Sequence, residues 1–143
     1  MTDIKHKLTI KTSSDKVYNA ITIQQGLGSW WAKQTIAKPE VGFVNIFTFG
    51  TAKNEIKVAA LEPDKKVVWD VINSAEEWNG TSISFTLEEK DNKTILRFNH
   101  AGWRAVTDFY AECNFAWAQF MTSLNHIARQ VRELLLKNKN LVS

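Results

Sequence analysis

The 143 residues, 44% of them hydrophobic, suffice for one domain with a real core, spanning residues 1–143. Lys and Arg total 18 against 15 Asp and Glu, for a net charge of +3, but the signs are interleaved without a basic run, so no nucleic-acid partner is expected. The single cysteine, Cys113, excludes an intrachain disulfide, and neither a signal-peptide core nor an apolar run of membrane-spanning length is present, so a cytoplasmic location without membrane insertion is expected.

Residues 3–11 alternate, with Ile4, His6, Leu8 and Ile10 on one side and Lys5, Lys7, Thr9 and Lys11 on the other, the pattern of a half-buried strand. Thr12, Ser13 and Ser14 then offer N-caps, and Asp15 completes a weak Thr-x-x-Asp box before Val17, Tyr18, Ala20 and Ile21 recur at helical spacing. Gly26 and Gly28 interrupt that pattern, which predicts a second short helix or turn ending in the pair Trp30 and Trp31. In residues 41–49, Phe43, Asn45, Phe47 and Phe49 share one strand face, and Val44, Ile46 and Thr48 the other. Residues 54–61 and 66–72 read as a hairpin around Glu62-Pro63-Asp64-Lys65, where Pro holds the first central turn position. In residues 80–89, Ile83, Phe85 and Leu87 oppose Ser82, Ser84 and Thr86. In residues 93–100, Leu96, Phe98 and His100 oppose Ile95, Arg97 and Asn99, with Asp91-Asn92 as the turn between the two strands.

From 107 to about 137 the period changes. Phe109, Tyr110, Cys113, Trp117, Phe120, Met121, Leu124, Ile127, Ala128, Val131, Leu134 and Leu135 fall on one stripe of a helix roughly 45 Å long. Thr107 or Asp108 is its predicted N-cap, with Asp108 and Glu112 near the start and Arg129, Arg132 and Lys137 near the end, as the helix dipole favours. One strand, two short helices, a run of antiparallel strands and a long helix make an α+β order, in which the helix lies across the concave face of a curved sheet. Where sheet and helix separate, a cavity opens. The 6 tryptophans suit either the walls of such a cavity or a bulky core.

These pieces come together in a resemblance. Ser14-Asp15-Lys16-Val17-Tyr18 with Ala20-Ile21, then Leu27 with Trp30-Trp31, then Val41-Gly42 carry its first third. Leu61-Glu62-Pro63-Asp64-Lys65-Lys66-Val67-Val68-Trp69, Trp78 with Gly80-Thr81, Ile83-Ser84-Phe85 and the stretch from Thr94 to Phe98 carry the middle. His100-Ala101-Gly102-Trp103 and the helical Tyr110, Cys113, Trp117 and Ser123-Leu124 complete it. Over nearly its whole length the chain resembles the SRPBCC (START-like, helix-grip) superfamily and, within it, homologues of the activator of the 90-kDa heat-shock protein ATPase. The resemblance implies a β-α-α-β-β-β-β-β-β-α helix-grip fold with a hydrophobic pocket between sheet and C-terminal helix, holding lipids, hormones, polyketides or other apolar compounds. Many relatives leave the last helix through a tail rich in glycine with a proline, whereas residues 131–136 here continue the apolar pattern, so a longer helix is expected.

Under that reading Trp30, Trp31, Trp103 and Tyr110 are wall or rim residues, and Trp69 and Trp117 serve wall or core equally well. Phe47, Phe85, Phe98 and Met121 face the same space, with His100, Asn45 and Asn114 as its polar groups. His100 is either a ligand-orienting group or a core histidine bonded to its neighbours, and His6 reads as structural. Cys113 reads as a small apolar filler, since no base is paired with it by sequence. His6, His100, His126 and Cys113 lack metal-ligand spacing, Glu76-Glu77 read as a solvated turn, and Gly26 and Gly28 lack the context of a phosphate loop.

The expected function is therefore binding of a small apolar or aromatic ligand without a cofactor, rather than catalysis. A cyclase- or hydrolase-type reaction using His100 as acid or base is the alternative, without a visible partner group. Regulation of the chaperone ATPase is a third reading, against which stands the additional domain of the family's namesake, with no counterpart in these 143 residues. A homodimer through exposed strand or helix surface is compatible with the sequence.

Overall fold

The alternation of the first strand is kept in the computed structural model, which describes residues 1–130. The elements are β1 (Thr2–Ile10), α1 (Ser14–Thr22), α2 (Gln24–Trp30), β2 (Gln34–Ile36), β3 (Val44–Phe49), β4 (Ala52–Glu62), β5 (Lys66–Asn73), a 3-10 turn at Glu76–Trp78, β6 (Ser82–Lys90), β7 (Lys93–Trp103) and α3 (Asp108–Ala128). The part of the expected long helix in residues 131–137, with Val131, Arg132, Leu134, Leu135 and Lys137, lies outside the described residues.

All strand pairings are antiparallel, in the order β1-β7-β6-β5-β4-β3-β2. Register shifts between Thr2 and Ile4 on β1, and at two places on β4, bend the sheet as extra residues in one strand do. Ile4, Ile56, Val67, Trp69, Ile83, Phe85, Leu96 and Phe98 point to the concave side and are buried, and α3 lies in that concavity with Cys113, Trp117, Met121, Leu124 and Ala128 turned inward. This is the helix-grip fold that the resemblance implied.

Both hairpin turns follow from residue chemistry. Asp64 has φ of 64° behind Pro63, and Lys65 N–H bonds the Glu62 carbonyl at 3.0 Å. Asp91 and Asn92 both have positive φ, 55° and 62°, which suits a two-residue hairpin and the short polar side chains that tolerate it.

Four local details differ from the sequence reading. β2 was not visible, because three residues carry no period; only the resemblance required a seventh strand. The strand expected from residue 41 begins at Val44, after a turn through Gly42 at φ 92°. The Thr-x-x-Asp box at α1 does not form: Ser13 is the N-cap without a side-chain cap bond, and Ser14 N–H is instead met by the Glu89 carboxylate of β6 at 2.6 Å. The expected second short helix is present as α2, but the break from α1 falls at Ile23, and Gly26 and Gly28 lie inside α2. A Cβ on Gly26 would stand 2.7 Å from the Ala20 carbonyl oxygen, so glycine is what lets α2 pack against α1.

Candidate functional site: an aromatic cleft at one end of the helix

The space beneath the middle of α3 is filled. Trp31, Trp69, Phe47 and Trp117 pack together, with centroids 5.9 Å apart for the stacked pair Trp31 and Trp69, 4.3 Å for Trp31 and Phe47, and 5.2 Å for Trp31 and Trp117. Phe85 meets Trp69 edge-on at 5.0 Å, and Phe98 lies 4.5 Å from Trp117. Each ring supplies large apolar area, and offset or edge contacts are the favoured geometry.

His100 sits at the bottom of this cluster, 0% exposed. Trp117 Nε1–H donates to His100 Nδ1 at 3.1 Å, and since indole only donates, the imidazole proton must be on Nε2. Nε2–H then donates to Thr81 Oγ1 at 2.8 Å, and the Thr81 hydroxyl donates to the Trp78 carbonyl at 2.5 Å. Both ring nitrogens are used. Burial pushes the imidazole down to about 3, only weakly opposed by the Asp3 charge, so the ring is neutral at physiological pH. Of the two roles open to His100 by sequence, this geometry is that of the hydrogen-bonded core histidine.

Where the helix and sheet part, a cleft of about 480 Å³ remains. Phe109 and Phe120, about three turns apart on α3, form one side. Phe49 at the end of β3 and Trp31 after α2 form another, and Trp78, in the turn between β5 and β6, closes one end. The remaining wall is polar: Lys53 and Asn54 from the start of β4, and Ser74 after β5, with Ala52 and Ala75 beside them. Ser74 Oγ donates to Asn54 Oδ1 at 2.5 Å, Asn54 Nδ2 donates to the Phe47 carbonyl at 3.0 Å, and Ser74 N–H donates to Asn79 Oδ1 at 2.8 Å.

The Trp78 turn is held against the start of α3. Thr107 Oγ1 accepts the Tyr110 N–H at 3.1 Å as N-cap and donates to the Glu77 carboxylate at 2.6 Å. Arg104 Nη2 donates to the Glu76 carbonyl at 2.8 Å. Trp78 stacks on Trp117 at 5.8 Å, and its Nε1–H points to Cys113 Sγ at 3.4 Å. Burial pushes the Cys113 thiol up, the Trp78 contact opposing this in part, and the protonated thiol fits the filler role rather than a nucleophile's.

Of the candidate residues read from sequence, Trp31 lines the cleft. Phe47, Trp69, Phe85, Phe98 and Trp117 lie in the packed cluster behind it. Trp30 is buried with its Nε1–H on the Ala20 carbonyl at 2.8 Å, and Asn45 is buried with Oδ1 accepting the Lys38 N–H at 3.2 Å, so both are structurally satisfied. Trp103 is fully buried, 5.1 Å from Tyr110, whose hydroxyl donates to the Asp3 carbonyl at 2.8 Å. Met121 is buried toward β1, beside a shallow groove with His6, Leu8 and Asn125. Asn114 corrects the reading: it is exposed, because one residue past Cys113 is about 100° around the helix and off the inward stripe. Sequence reasoning did not assign Phe49, Phe109, Phe120, Lys53, Asn54, Ser74 or Trp78 to the site. Phe109 and Phe120 had a signal, an aromatic pair on one edge of the helical stripe, while the polar wall had none. Among the described residues no group of three or more His, Cys, Asp or Glu could hold a metal ion, and no helix is long and apolar enough to cross a membrane.

Comparison with known proteins agrees with this architecture. The solution structure of the Aha1 dimer from Colwellia psychrerythraea is 41% identical, with 87% of this chain and 94% of that one covered at a TM-score of 0.81. A Mesorhizobium loti protein is 20% identical over 90% of this chain and 98% of its own, at a TM-score of 0.80, and a Bacillus halodurans protein is 20% identical over 90% and 97%, at 0.76. These last two likenesses concern the fold alone. Among curated protein sequences there is no significant match. The family model described as activator of Hsp90 ATPase homolog 1-like protein matches residues 11–129, and the chain belongs to that family.

Proposed function

We propose that this chain binds a small apolar compound in the cleft between α3 and the ends of β3, β4 and β5. The observation that carries the reading is the set of five aromatic side chains, Trp31, Phe49, Trp78, Phe109 and Phe120, around an open space of about 480 Å³. That volume falls within the range of about 300–1,000 Å³ usual for small-molecule sites, and a few polar groups at one wall of an apolar pocket are the usual means of orienting a ligand. Binding without catalysis is favoured by His100, whose nitrogens are both engaged inside the core. The test is fluorescence titration with the neutral probe N-phenylnaphthylamine. Saturable binding that is lost in Phe49→Ser supports the reading, and no binding to the native protein, or binding untouched by that substitution, refutes it.

A second reading is self-association. The Colwellia relative is a dimer, and this chain carries exposed Phe115 on α3, 68% accessible, and Val106, 70% accessible. Light scattering coupled to size exclusion tests it, and a monomer at all concentrations would reject it.

A further inference from the structure

We infer that the cleft selects planar aromatic compounds bearing an anionic group, with Lys53 meeting the anion at the mouth; this rests on the binding reading above. Among the described residues Lys53 is the only charged side chain lining the cleft, and no acidic side chain lines it. Arg97 and Glu88 form the sole ion pair among the described residues, so the Lys53 ammonium has no carboxylate within salt-bridge distance there. Glu77, one residue before the cleft residue Trp78, has its carboxylate engaged by the Thr107 hydroxyl at the start of α3.

The neutral part of the wall has the same polarity. Ser74 spends its hydroxyl proton on Asn54 Oδ1, and Asn54 spends one amide proton on the Phe47 carbonyl. The second Asn54 N–H and the three Lys53 ammonium N–H groups remain as donors, against the lone pairs of the Ser74 oxygen and the second lone pair of Asn54 Oδ1. A ligand group that only accepts, such as a carboxylate or sulfonate, complements such a wall, whereas a ligand rich in donors leaves it unpaired. The same cleft is lined by the rings of Phe109, Phe120 and Trp31, whose faces and edges favour an aromatic body over a flexible chain. Lys53 is solvent-exposed, so its attraction for the anion is of the surface kind and weakens with salt.

The test uses two probes with the same ring system, neutral N-phenylnaphthylamine and anionic anilinonaphthalene sulfonate, titrated against the whole chain. Lys53→Met is expected to weaken the sulfonate about fivefold and the neutral probe less than about twofold, as removal of one exposed charge pair does. Lys53→Arg should restore the sulfonate. Raising the salt concentration should weaken the sulfonate alone. If both probes bind the native protein, and the sulfonate responds to neither Lys53→Met nor salt, the anion preference is overturned while the cleft stands. If neither probe binds, or if Phe49→Ser leaves both unchanged, the cleft reading falls and this inference with it. Lys53 is exposed and outside the core, so loss of the fold does not confound the comparison.

Discussion

The indole N–H of Trp117 on α3 lies 3.1 Å from Nδ1 of His100 on β7, tying the helix to the floor of the sheet by a buried polar bond. The bond requires the neutral imidazole, because a protonated ring has no acceptor to offer.

A pH dependence follows with a definite sign. The folded state lowers the His100 value from 6.5 to about 3, so between those values the unfolded chain holds a proton that the folded chain does not. The stabilisation is complete above pH 6.5 and is lost as pH falls toward 3. Urea denaturation at pH 7.5, 6 and 5 should show stability falling by up to about 1.4 kcal/mol per pH unit below pH 6 from this group. In His100→Phe that slope should flatten, although the variant is less stable at every pH, since the Trp117 N–H and Thr81 are left without their partner. An unchanged slope would show that His100 does not carry it.

The two glycines of α2 should behave oppositely. Alanine at Gly26 would set its Cβ 2.7 Å from the Ala20 carbonyl oxygen, a backbone atom that cannot move alone, whereas at Gly28 the nearest atom is the Lys33 carbonyl at 3.7 Å. Gly26→Ala is expected to cost about 1–3 kcal/mol through overpacking. Gly28→Ala should be neutral or stabilising by up to about 1 kcal/mol, from helix propensity and a less flexible unfolded chain. Thermal melts of the pair decide the matter; equal destabilisation would contradict the close approach seen at Gly26.

Cys113 reports on the Trp78 turn. With the indole over its sulfur and the thiol pushed up by burial, it should react slowly with a disulfide reagent at pH 8. Trp78→Ala removes that cover and should speed labelling on the order of tenfold while the protein remains folded. Labelling as slow as in the native chain would show that α3 itself, not the turn, shields the thiol.

Much of this architecture can be read from residue order. Period-two alternation marks β1, β6 and β7 because each has one face in the core and one toward solvent. The turns at Pro63-Asp64 and Asp91-Asn92 are legible because so few residues accept positive φ. β2 is not legible, since Gln34–Ile36 is too short to show a period. Asn114, expected to face inward, is exposed, because it lies about 100° off the stripe of Cys113 and Trp117, a helical step that residue spacing already contains.

By itself the sequence determined the α+β order of elements and the inward stripe of α3 up to Ala128, because periodicity and turn chemistry are local properties, while the family was legible only through the resemblance carried by the order of its motifs. Tertiary structure alone decided which aromatics fill space and which border it. Trp69 and Phe49 are both large rings on strands, yet one is 1% exposed beneath the helix and the other 38% exposed at the cleft. Their difference comes from where the curved sheet draws away from α3, a distance set by all the packed side chains together and written in none of them singly.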